Sequence, residues 1–341
     1  MYQEFYGLRE LPFELTPNPK YLFLTPSHHE ALSNLQYGLS SGKGITVLIG
    51  EAGTGKTTLL QTVLESEACR RVSCVYLNNP TLTRAEFIET LSMRFGLTAA
   101  ARESKAALLA ELDSVLRERR ARGDITALVI DEAQSLSREL LEEIRLLANV
   151  ETATDKLLPL VLAGQPELKD RLNEVGLRQL KQRVTLRCQI APFDAEQTAA
   201  YIANRIRIAG GNPAKTFTRE GVLLIHERSK GIPRTVSVIC DNALLTGFGL
   251  GRKLIDREIV LEVLRDLDLG EPEPAERVVK VPVNGGAAAA PAPAQQLAVR
   301  PDNDILLDKV AGREMFAAVD KPRGFSLFRN WLGQTGERGT R

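Results

Sequence analysis

Short apolar runs alternate with stretches of helical periodicity along the first half of the chain. The apolar runs cover residues 45–49, 72–77, 127–130, 157–164 and about 184–190. Between them, apolar side chains recur at helical spacing, as in the segment from about residue 104 to residue 120. Buried strands that alternate with amphipathic helices are typical of a parallel β-sheet covered on both faces. The pattern therefore predicts an α/β core, in which ligands bind beyond the carboxyl ends of the strands.

The pattern becomes entirely helical beyond residue 193. It predicts a small all-α region with helices over about residues 196–208, 218–227, 232–245 and 256–267. Residues 269–300 are rich in proline, alanine and glycine and cannot bury enough apolar surface to fold, so we interpret them as a linker. Residues 301–341 are predicted to be a mostly disordered tail with a short amphipathic element that contains Phe325, Phe328 and Trp331.

The first 26 residues contain four prolines among aromatic residues. This excludes a long helix and favours a segment packed on a core. A capping box formed by Ser27 and Glu30 predicts the start of a helix that ends at Gly42. A capping box formed by Thr83 and Glu86 predicts the start of another helix. His28 and His29 have no metal-binding partners at ligand spacing, so we interpret them as residues of the helix start.

Length and composition limit the class of protein. A chain of 341 residues suggests about two domains and an appendage. The 44 basic and 43 acidic residues give a net charge of +1, which excludes recruitment of nucleic acid or an anionic membrane by an overall field. Four cysteines without C-x-x-C spacing indicate a reducing compartment, and no signal peptide or membrane span is evident. We therefore expect a soluble, cytoplasmic protein.

One motif lies between the first apolar run and the helix that follows it. The stretch GEAGTGKT has the GxxxxGK[ST] spacing of a phosphate-binding loop. Its glycines let successive N–H groups converge on phosphate oxygens, and the helix N-terminus adds partial positive charge. We expect Lys56 to contact the β- and γ-phosphates and the Thr57 hydroxyl to bind Mg²⁺. The predicted nucleotide-binding residues are Gly50, Glu51, Ala52, Gly53, Thr54, Gly55, Lys56, Thr57 and Thr58.

Polar residues follow two further apolar runs. Asp131 and Glu132 come directly after the third run, and Gln165 follows the fourth. Because the carboxyl ends of parallel strands meet at one edge of a sheet, we expect these side chains near the phosphate loop. Asp131 is predicted to hold Mg²⁺, directly or through water, together with Thr57, and Glu132 to orient and deprotonate the attacking water. Gln165 is expected to hydrogen-bond the γ-phosphate or that water.

Arg234 lies in the first turn of a predicted helix, directly after Gly231, Ile232 and Pro233. The helix dipole disfavours a cation there by about 0.3–1 kcal/mol. This indicates a role elsewhere, such as contact with a phosphate. The alternative is an ion pair with a surface carboxylate.

These motifs together resemble those of AAA+ ATPases of the general secretion pathway protein A type, which include ATPases encoded beside type II secretion, pilus and exosortase systems. The resemblance covers about residues 1–268. The motifs that carry it are the phosphate loop, Phe5-Tyr6-Gly7-Leu8, Pro12-Phe13, residues 17–24 before Ser27-His28, Asp131-Glu132-Ala133-Gln134, Leu146-Leu147-Ala148-Asn149, Gly164-Gln165-Pro166-Glu167-Leu168, Leu180-Lys181-Gln182-Arg183 and Gly231-Ile232-Pro233-Arg234.

The resemblance implies a P-loop NTPase core of the AAA+ type and a helical lid. The division is then residues 45–192 for the core and residues 193–268 for the lid. Residues 1–44 either cover the nucleotide site or simply pack on the core. Some relatives continue through a membrane span into a peptidoglycan-binding domain, and this sequence shows neither feature.

The same resemblance implies roles for particular residues. It assigns Gln165 to the sensor-1 position and Arg234 to the sensor-2 position. It assigns an arginine of residues 178–183 to the finger that reaches the nucleotide of a neighbouring subunit. Arg183 is the preferred candidate and Arg178 the alternative.

The sequence thus predicts ATP binding and Mg²⁺-dependent hydrolysis at the subunit interfaces of a homo-oligomer. The expected role is to drive assembly or function of a secretion, pilus or polysaccharide-export machine, through a protein partner, in the cytoplasm or at the periphery of the inner membrane. One alternative is a DNA-binding ATPase that resembles the transposition helpers of the same superfamily, which the near-zero net charge disfavours. The other is a nucleotide-gated scaffold with slow hydrolysis.

Overall fold

The computed structural model describes residues 1–16, 18–78, 81–152 and 155–269. The predicted tail, and the predicted linker from residue 270 onward, lie outside these ranges. The strands are β1 (Ile45–Gly50), β2 (Val72–Leu77), β3 (Ile125–Ile130), β4 (Leu160–Gly164) and β5 (Val184–Ile190). The α-helices are α1 (Tyr2–Tyr6), α2 (Pro26–Ser40), α3 (Lys56–Leu64), α4 (Arg84–Phe95), α5 (Ala100–Glu103), α6 (Lys105–Ala121), α7 (Arg138–Leu147), α8 (Glu167–Leu172), α9 (Arg178–Lys181), α10 (Ala195–Ile208), α11 (Pro213–Thr216), α12 (Arg219–Ser229), α13 (Pro233–Gly249) and α14 (Arg257–Asp266).

The strands form one parallel sheet in the order β2-β3-β4-β1-β5. The pairing aligns their carboxyl ends, because Ile49 lies opposite Gly164 of β4 and Gly50 lies opposite Ile190 of β5. The first strand of the chain is therefore flanked by the last two. The α/β fold with a parallel sheet is confirmed, and the loop that follows β1 leaves the sheet near its centre.

Successive residues of each strand face opposite sides of the sheet. In β3, Leu128 and Ile130 belong to the apolar core that includes residues of α4, α6 and α7, whereas Ala127 and Val129 belong to the core that includes residues of α2 and α3. All four side chains are fully buried. The sheet is thus covered on both faces at its inner strands, which explains why β1, β3 and β4 are continuous apolar runs. The edge strand β5 instead alternates apolar and polar residues.

The helices beyond β5 pack around a separate apolar core. Ile225 and Ile239, from α12 and α13, are fully buried there. The N-terminal segment contributes Tyr2, Leu8 and Phe13 to the same core. The N-terminal residues therefore belong structurally with the helical lid, although they precede the sheet in sequence.

None of the helices in the described part of the chain combines the length and the apolar character that a membrane span requires.

An arginine fastens the N-terminal segment to the lid. The guanidinium carbon of Arg205 in α10 lies 5.0 Å from the ring centres of both Tyr21 and Tyr201. Nη1 of Arg205 also donates to the carbonyl oxygen of Pro12 at 2.7 Å. These contacts explain why a proline-rich segment without long helices has an ordered path across the lid.

Two predicted boundaries are wrong, and in both cases a proline determines the difference. Helix α2 begins at Pro26 with Thr25 as its N-cap, so Ser27 is already inside the helix and the predicted capping box does not form. Strand β4 begins at Leu160, because Pro159 has no N–H to donate to a neighbouring strand. By contrast, the capping box of Thr83 and Glu86 forms at the start of α4.

Candidate nucleotide-binding site

The loop between β1 and α3 has the conformation that its glycines permit. Gly53 and Gly55 have φ angles of 81° and 96°, in the left-handed region. A Cβ atom added to Gly53 would lie 2.7 Å from Cβ of Arg234, at the start of α13. The loop therefore needs glycine at position 53 both for its backbone conformation and for close contact with the lid.

The side chain of Lys56 lies within this loop. It is only 5% exposed, and its Nζ donates to the carbonyl oxygens of Gly50 at 2.9 Å and of Glu51 at 3.1 Å. Burial lowers the pKa of Lys56, while the charges of Glu132 and Asp131 act in the opposite direction. An ammonium group held among backbone carbonyls at the start of a helix is well suited to meet an anionic phosphate.

Asp131 follows β3 and is 3% exposed. Its Oδ2 accepts hydrogen bonds from the Thr57 hydroxyl at 2.6 Å and from the Tyr76 hydroxyl at 2.9 Å, and its Oδ1 accepts from the backbone N–H of Glu132 at 3.0 Å. Burial and the neighbouring carboxylate raise the pKa of Tyr76, so its hydroxyl keeps its proton. These contacts fix the orientation of the Asp131 carboxylate beside Thr57.

Glu132 has a left-handed backbone with a φ angle of 52°, which is uncommon for a residue other than glycine. Its Oε2 accepts from Nε2 of Gln134 at 2.6 Å and from Nε2 of Gln165 at 3.3 Å. The Gln134 side chain also accepts from the backbone N–H of Gln165 at 3.1 Å. Two amides from the ends of β3 and β4 therefore hold one oxygen of the Glu132 carboxylate.

Two elements outside the sheet contact the phosphate loop. The backbone N–H of Arg234 donates to the carbonyl oxygen of Gly53 at 3.2 Å, and Nε2 of His28 lies 3.1 Å from the carbonyl oxygen of Thr54. The Arg234 side chain is exposed, and the salt bridges found among the described residues do not include it. The start of α13 and the helix α2 are thus both attached to the loop.

The preferred finger residue, Arg183, lies away from the phosphate loop of its own chain. Arg183 directly precedes β5, at the edge of the sheet where the strands begin, and Arg178 is exposed at the start of α9. Arg183 lines a polar cleft of about 850 Å³ together with residues that include Lys43 and Lys156. The phosphate loop leaves the opposite edge of the sheet.

Three residues that contact the site, Tyr76, Gln134 and His28, are not among the site residues predicted from the sequence. Gln134 was visible within the motif that begins with Asp131, and His28 within the motif that begins with Ser27. Tyr76 gave a weaker signal, as a polar aromatic residue next to the end of the second apolar run. Their contacts depend on the strand order and on the path of α2, for which the sequence carries no local signal.

The residues at this edge fit a magnesium–nucleoside triphosphate. The loop supplies an ammonium group and a helix N-terminus for the phosphates. Thr57 and Asp131 bring together a hydroxyl and a carboxylate oxygen, the hard ligands that Mg²⁺ prefers. Such a loop between a strand and a helix, on a sheet of this order with a helical lid behind it, defines the AAA+ class of P-loop NTPases.

Comparisons with known proteins agree with this class. Residues 39–172 match a protein family described as an AAA domain. The ORC2 protein of Aeropyrum pernix, in its ADPNP–ADP complexes, has a TM-score of 0.55 at 18% identity over 76% of this chain and 72% of its own. A Walker-type ATPase of Pyrococcus abyssi has a TM-score of 0.53 at 21% identity over 76% and 78% of the two chains. At these identities the likeness concerns the fold alone, and that fold is the one of the AAA+ P-loop NTPases.

A sequence relative is more specific. General secretion pathway protein A of Aeromonas hydrophila is 38% identical over 262 residues, which cover 76% of this chain and 48% of that protein. The resemblance inferred from the sequence is therefore confirmed. An uncharacterised HTH-type transcriptional regulator of Methanocaldococcus jannaschii is 22% identical over 162 residues, 47% of this chain and 39% of that protein. The chain spans about half the length of these curated relatives, or less.

Proposed function

We propose that this protein binds ATP with Mg²⁺ and hydrolyses it to ADP and phosphate. The observation that carries this proposal is the convergence of three groups at one edge of the sheet. They are the Lys56 ammonium, the bonded pair of Thr57 and Asp131, and the Glu132 carboxylate. We propose residues 45–192 as the ATPase core, residues 193–268 as its lid, and residues 1–44 as a segment that supports the nucleotide site.

In the proposed reaction, the Glu132 carboxylate takes a proton from a water molecule whose oxygen attacks the γ-phosphorus. The bond between the γ-phosphorus and the bridging oxygen breaks, and ADP leaves with the electron pair. Lys56 offsets the charge that develops on the phosphate oxygens, and the exposed Arg234 side chain reaches the phosphates from the lid. Mg²⁺, when bound by Thr57 and Asp131, supplies further positive charge at the β- and γ-phosphates. The Gln165 amide orients Glu132 or hydrogen-bonds the γ-phosphate.

We propose that hydrolysis takes place between copies of the chain in a homo-oligomer, with Arg183 as the finger that completes the site of a neighbouring copy. Support comes from its position at the sheet edge opposite the phosphate loop, because an arginine there cannot serve the nucleotide of its own chain. Arg178 is the alternative finger, since its side chain is exposed and it lies five residues before Arg183 in the chain.

The process driven by hydrolysis is proposed from the sequence relative. General secretion pathway protein A is named for a secretion pathway and is 38% identical to this chain. We therefore propose that the protein drives assembly or function of an envelope secretion or export machine through a protein partner. The proposed location is the cytoplasm, including the cytoplasmic periphery of the inner membrane.

Substitution of Glu132 by Gln tests the hydrolysis step. Glu132→Gln keeps the side-chain volume but removes the base, so we expect ATP binding to be retained and turnover to fall by roughly 10²- to 10⁴-fold. Phosphate release and binding of a fluorescent ATP analogue would be measured side by side. Glu262→Gln, on the exposed surface of α14, is the matched control. Unchanged turnover of Glu132→Gln would refute the assignment of the base.

A further inference from the structure

Two carbonyl groups of the phosphate loop are held from outside the loop. The Gly53 carbonyl accepts from the N–H of Arg234, and the Thr54 carbonyl faces Nε2 of His28. In a planar trans peptide the C=O and the following N–H point in opposite directions. A carbonyl group that points out of the loop, toward His28 or Arg234, therefore turns the N–H of the following residue toward the inside of the loop. The N–H of Thr54 agrees with this, because it donates within the loop to the carbonyl oxygen of Glu51 at 3.3 Å.

The His28 ring has a defined proton position. A carbonyl oxygen can only accept, so the contact with Thr54 requires that Nε2 carry the proton. Burial lowers the pKa of His28, so the ring is neutral at neutral pH and its Nδ1 is an acceptor. The Thr25 hydroxyl lies 2.7 Å from Nδ1 and serves as the donor. Phe193 packs against the ring with its centre 6.1 Å away. Both ring nitrogens are thus satisfied in one tautomer only.

We propose that His28 is a positioning residue for the triphosphate, although it does not contact the nucleotide itself. Its Nε2–H holds the Thr54 carbonyl outward, and this presents the N–H of Gly55 to a phosphate oxygen. Thr25 bonds Nδ1 and so holds the ring in the orientation in which Nε2–H faces Thr54. The inference rests on the proposed nucleotide binding and extends it, because it makes helix α2, which precedes β1 in sequence, a part of the phosphate site.

The test compares two substitutions that differ in the donor. His28→Leu removes both ring nitrogens at similar volume and leaves the Thr54 carbonyl without its donor. His28→Gln keeps an N–H group at about the reach of Nε2. We expect His28→Leu to raise the Kd for a fluorescent ATP analogue, titrated with Mg²⁺ into the full chain, by roughly 5- to 50-fold. We expect His28→Gln to stay within about threefold of the wild-type Kd.

Two further variants separate positioning from general stability. Thr25→Val removes the hydroxyl that bonds Nδ1 and that also lies 3.0 Å from the Ser27 hydroxyl, and the Thr25 side chain makes no capping hydrogen bond to α2. We expect it to raise the Kd roughly two- to fivefold. It also gives an answer if His28→Leu fails to fold. His29→Gln, at the exposed neighbouring position, is the matched control and should leave the Kd unchanged.

The outcomes are distinguishable. Equal Kd values for wild type, His28→Leu and Thr25→Val would overturn the proposal, even if the melting temperature without nucleotide fell. A Kd for His28→Gln as high as that for His28→Leu would also overturn it, because the donor would then not be the property that matters. If wild type and Lys56→Ala both fail to bind the ATP analogue, the proposed function itself is wrong.

Discussion

The Asp131 carboxylate is the most constrained side chain of the candidate site. Its two oxygens accept from Thr57, Tyr76 and the backbone of Glu132, in a position that is almost fully buried. The Thr57 and Asp131 oxygens are 2.6 Å apart. In the proposed function, these two oxygens would hold Mg²⁺, with Asp131 bound directly or through water.

Tyr76 offers a test of this geometry. Tyr76→Phe removes one of the three donors that hold the Asp131 carboxylate, so its orientation is less constrained. Outer contacts of this kind affect metal affinity. We expect the Mg²⁺ concentration that gives half-maximal ATP hydrolysis to rise roughly 5- to 20-fold. A titration of hydrolysis rate against Mg²⁺ measures it.

The control for Tyr76→Phe is the same substitution at an exposed tyrosine. Tyr37 in α2 is 51% exposed, so Tyr37→Phe should leave the Mg²⁺ dependence unchanged. An identical Mg²⁺ requirement in Tyr76→Phe and wild type would show that Thr57 and the backbone suffice to orient Asp131.

At the scale of elements, the turn between α12 and α13 sets how the lid meets the phosphate loop. Gly231 in this turn has a φ angle of 69°, and its carbonyl accepts from the N–H of Phe193 at 2.8 Å. A Cβ atom added to Gly231 would lie 1.9 Å from the Phe193 carbonyl oxygen. Three residues later, Arg234 contacts Gly53. The distance between the α12–α13 turn and the phosphate loop therefore depends on Gly231, a glycine outside the nucleotide-binding motif.

We expect Gly231→Ala to destabilise the protein by roughly 2–4 kcal/mol, because the added methyl group meets backbone and the φ angle is unfavourable. Urea unfolding followed by circular dichroism measures this. Gly249→Ala, at the end of α13, is the matched control, since an added Cβ there has no atom within 4 Å. Alanine is favoured over glycine in a helix, so this variant should be as stable as wild type or slightly more stable. Equal destabilisation by both substitutions would contradict the steric argument.

The elements that local signals define could be predicted from the sequence. Residues 72–77 form β2 as predicted, and the Thr83–Glu86 capping box forms, because both depend on neighbours within a few residues. The boundaries around Pro26 and Pro159 were wrong because a missing N–H outweighs a polar or apolar pattern. Gln165 could be expected at the edge of the sheet where the strands end, because it directly follows the buried run that forms β4.

Contacts between distant elements could not be predicted. His28 meets Thr54 only because α2 packs beside α3, and Tyr76 meets Asp131 only because β2 and β3 are adjacent in the sheet. Neither pairing has a signature in local periodicity. These contacts orient the phosphate loop and the Asp131 carboxylate, which the motifs identify. The motifs therefore predict which groups carry the chemistry, but not the contacts that hold those groups in place.

At the scale of the whole molecule, the length of the sheet separates Arg183 from the phosphate loop of the same chain. The pairing of Ile45 with Val184 and of Gly50 with Ile190 puts Arg183 and the phosphate loop at opposite ends of β1 and β5. Five residue steps along a strand span roughly 17 Å, which exceeds the reach of an arginine side chain. One chain therefore cannot bring Arg183 to its own nucleotide, and a role for this arginine in hydrolysis requires a second copy.

Mixing of two inactive variants tests this requirement. Lys56→Ala should lose nucleotide binding, and Arg183→Ala should bind ATP but hydrolyse it on the order of 10³-fold more slowly. In a randomly mixed ring of equal amounts, about a quarter of the interfaces would pair an intact loop with an intact finger. We therefore expect the phosphate release rate of the mixture to approach a quarter of the wild-type rate. Arg187→Ala, on β5, is the control and should remain active alone. Absence of rescue at every mixing ratio would count against a finger at position 183, and rescue with Arg178→Ala instead would assign the finger to position 178.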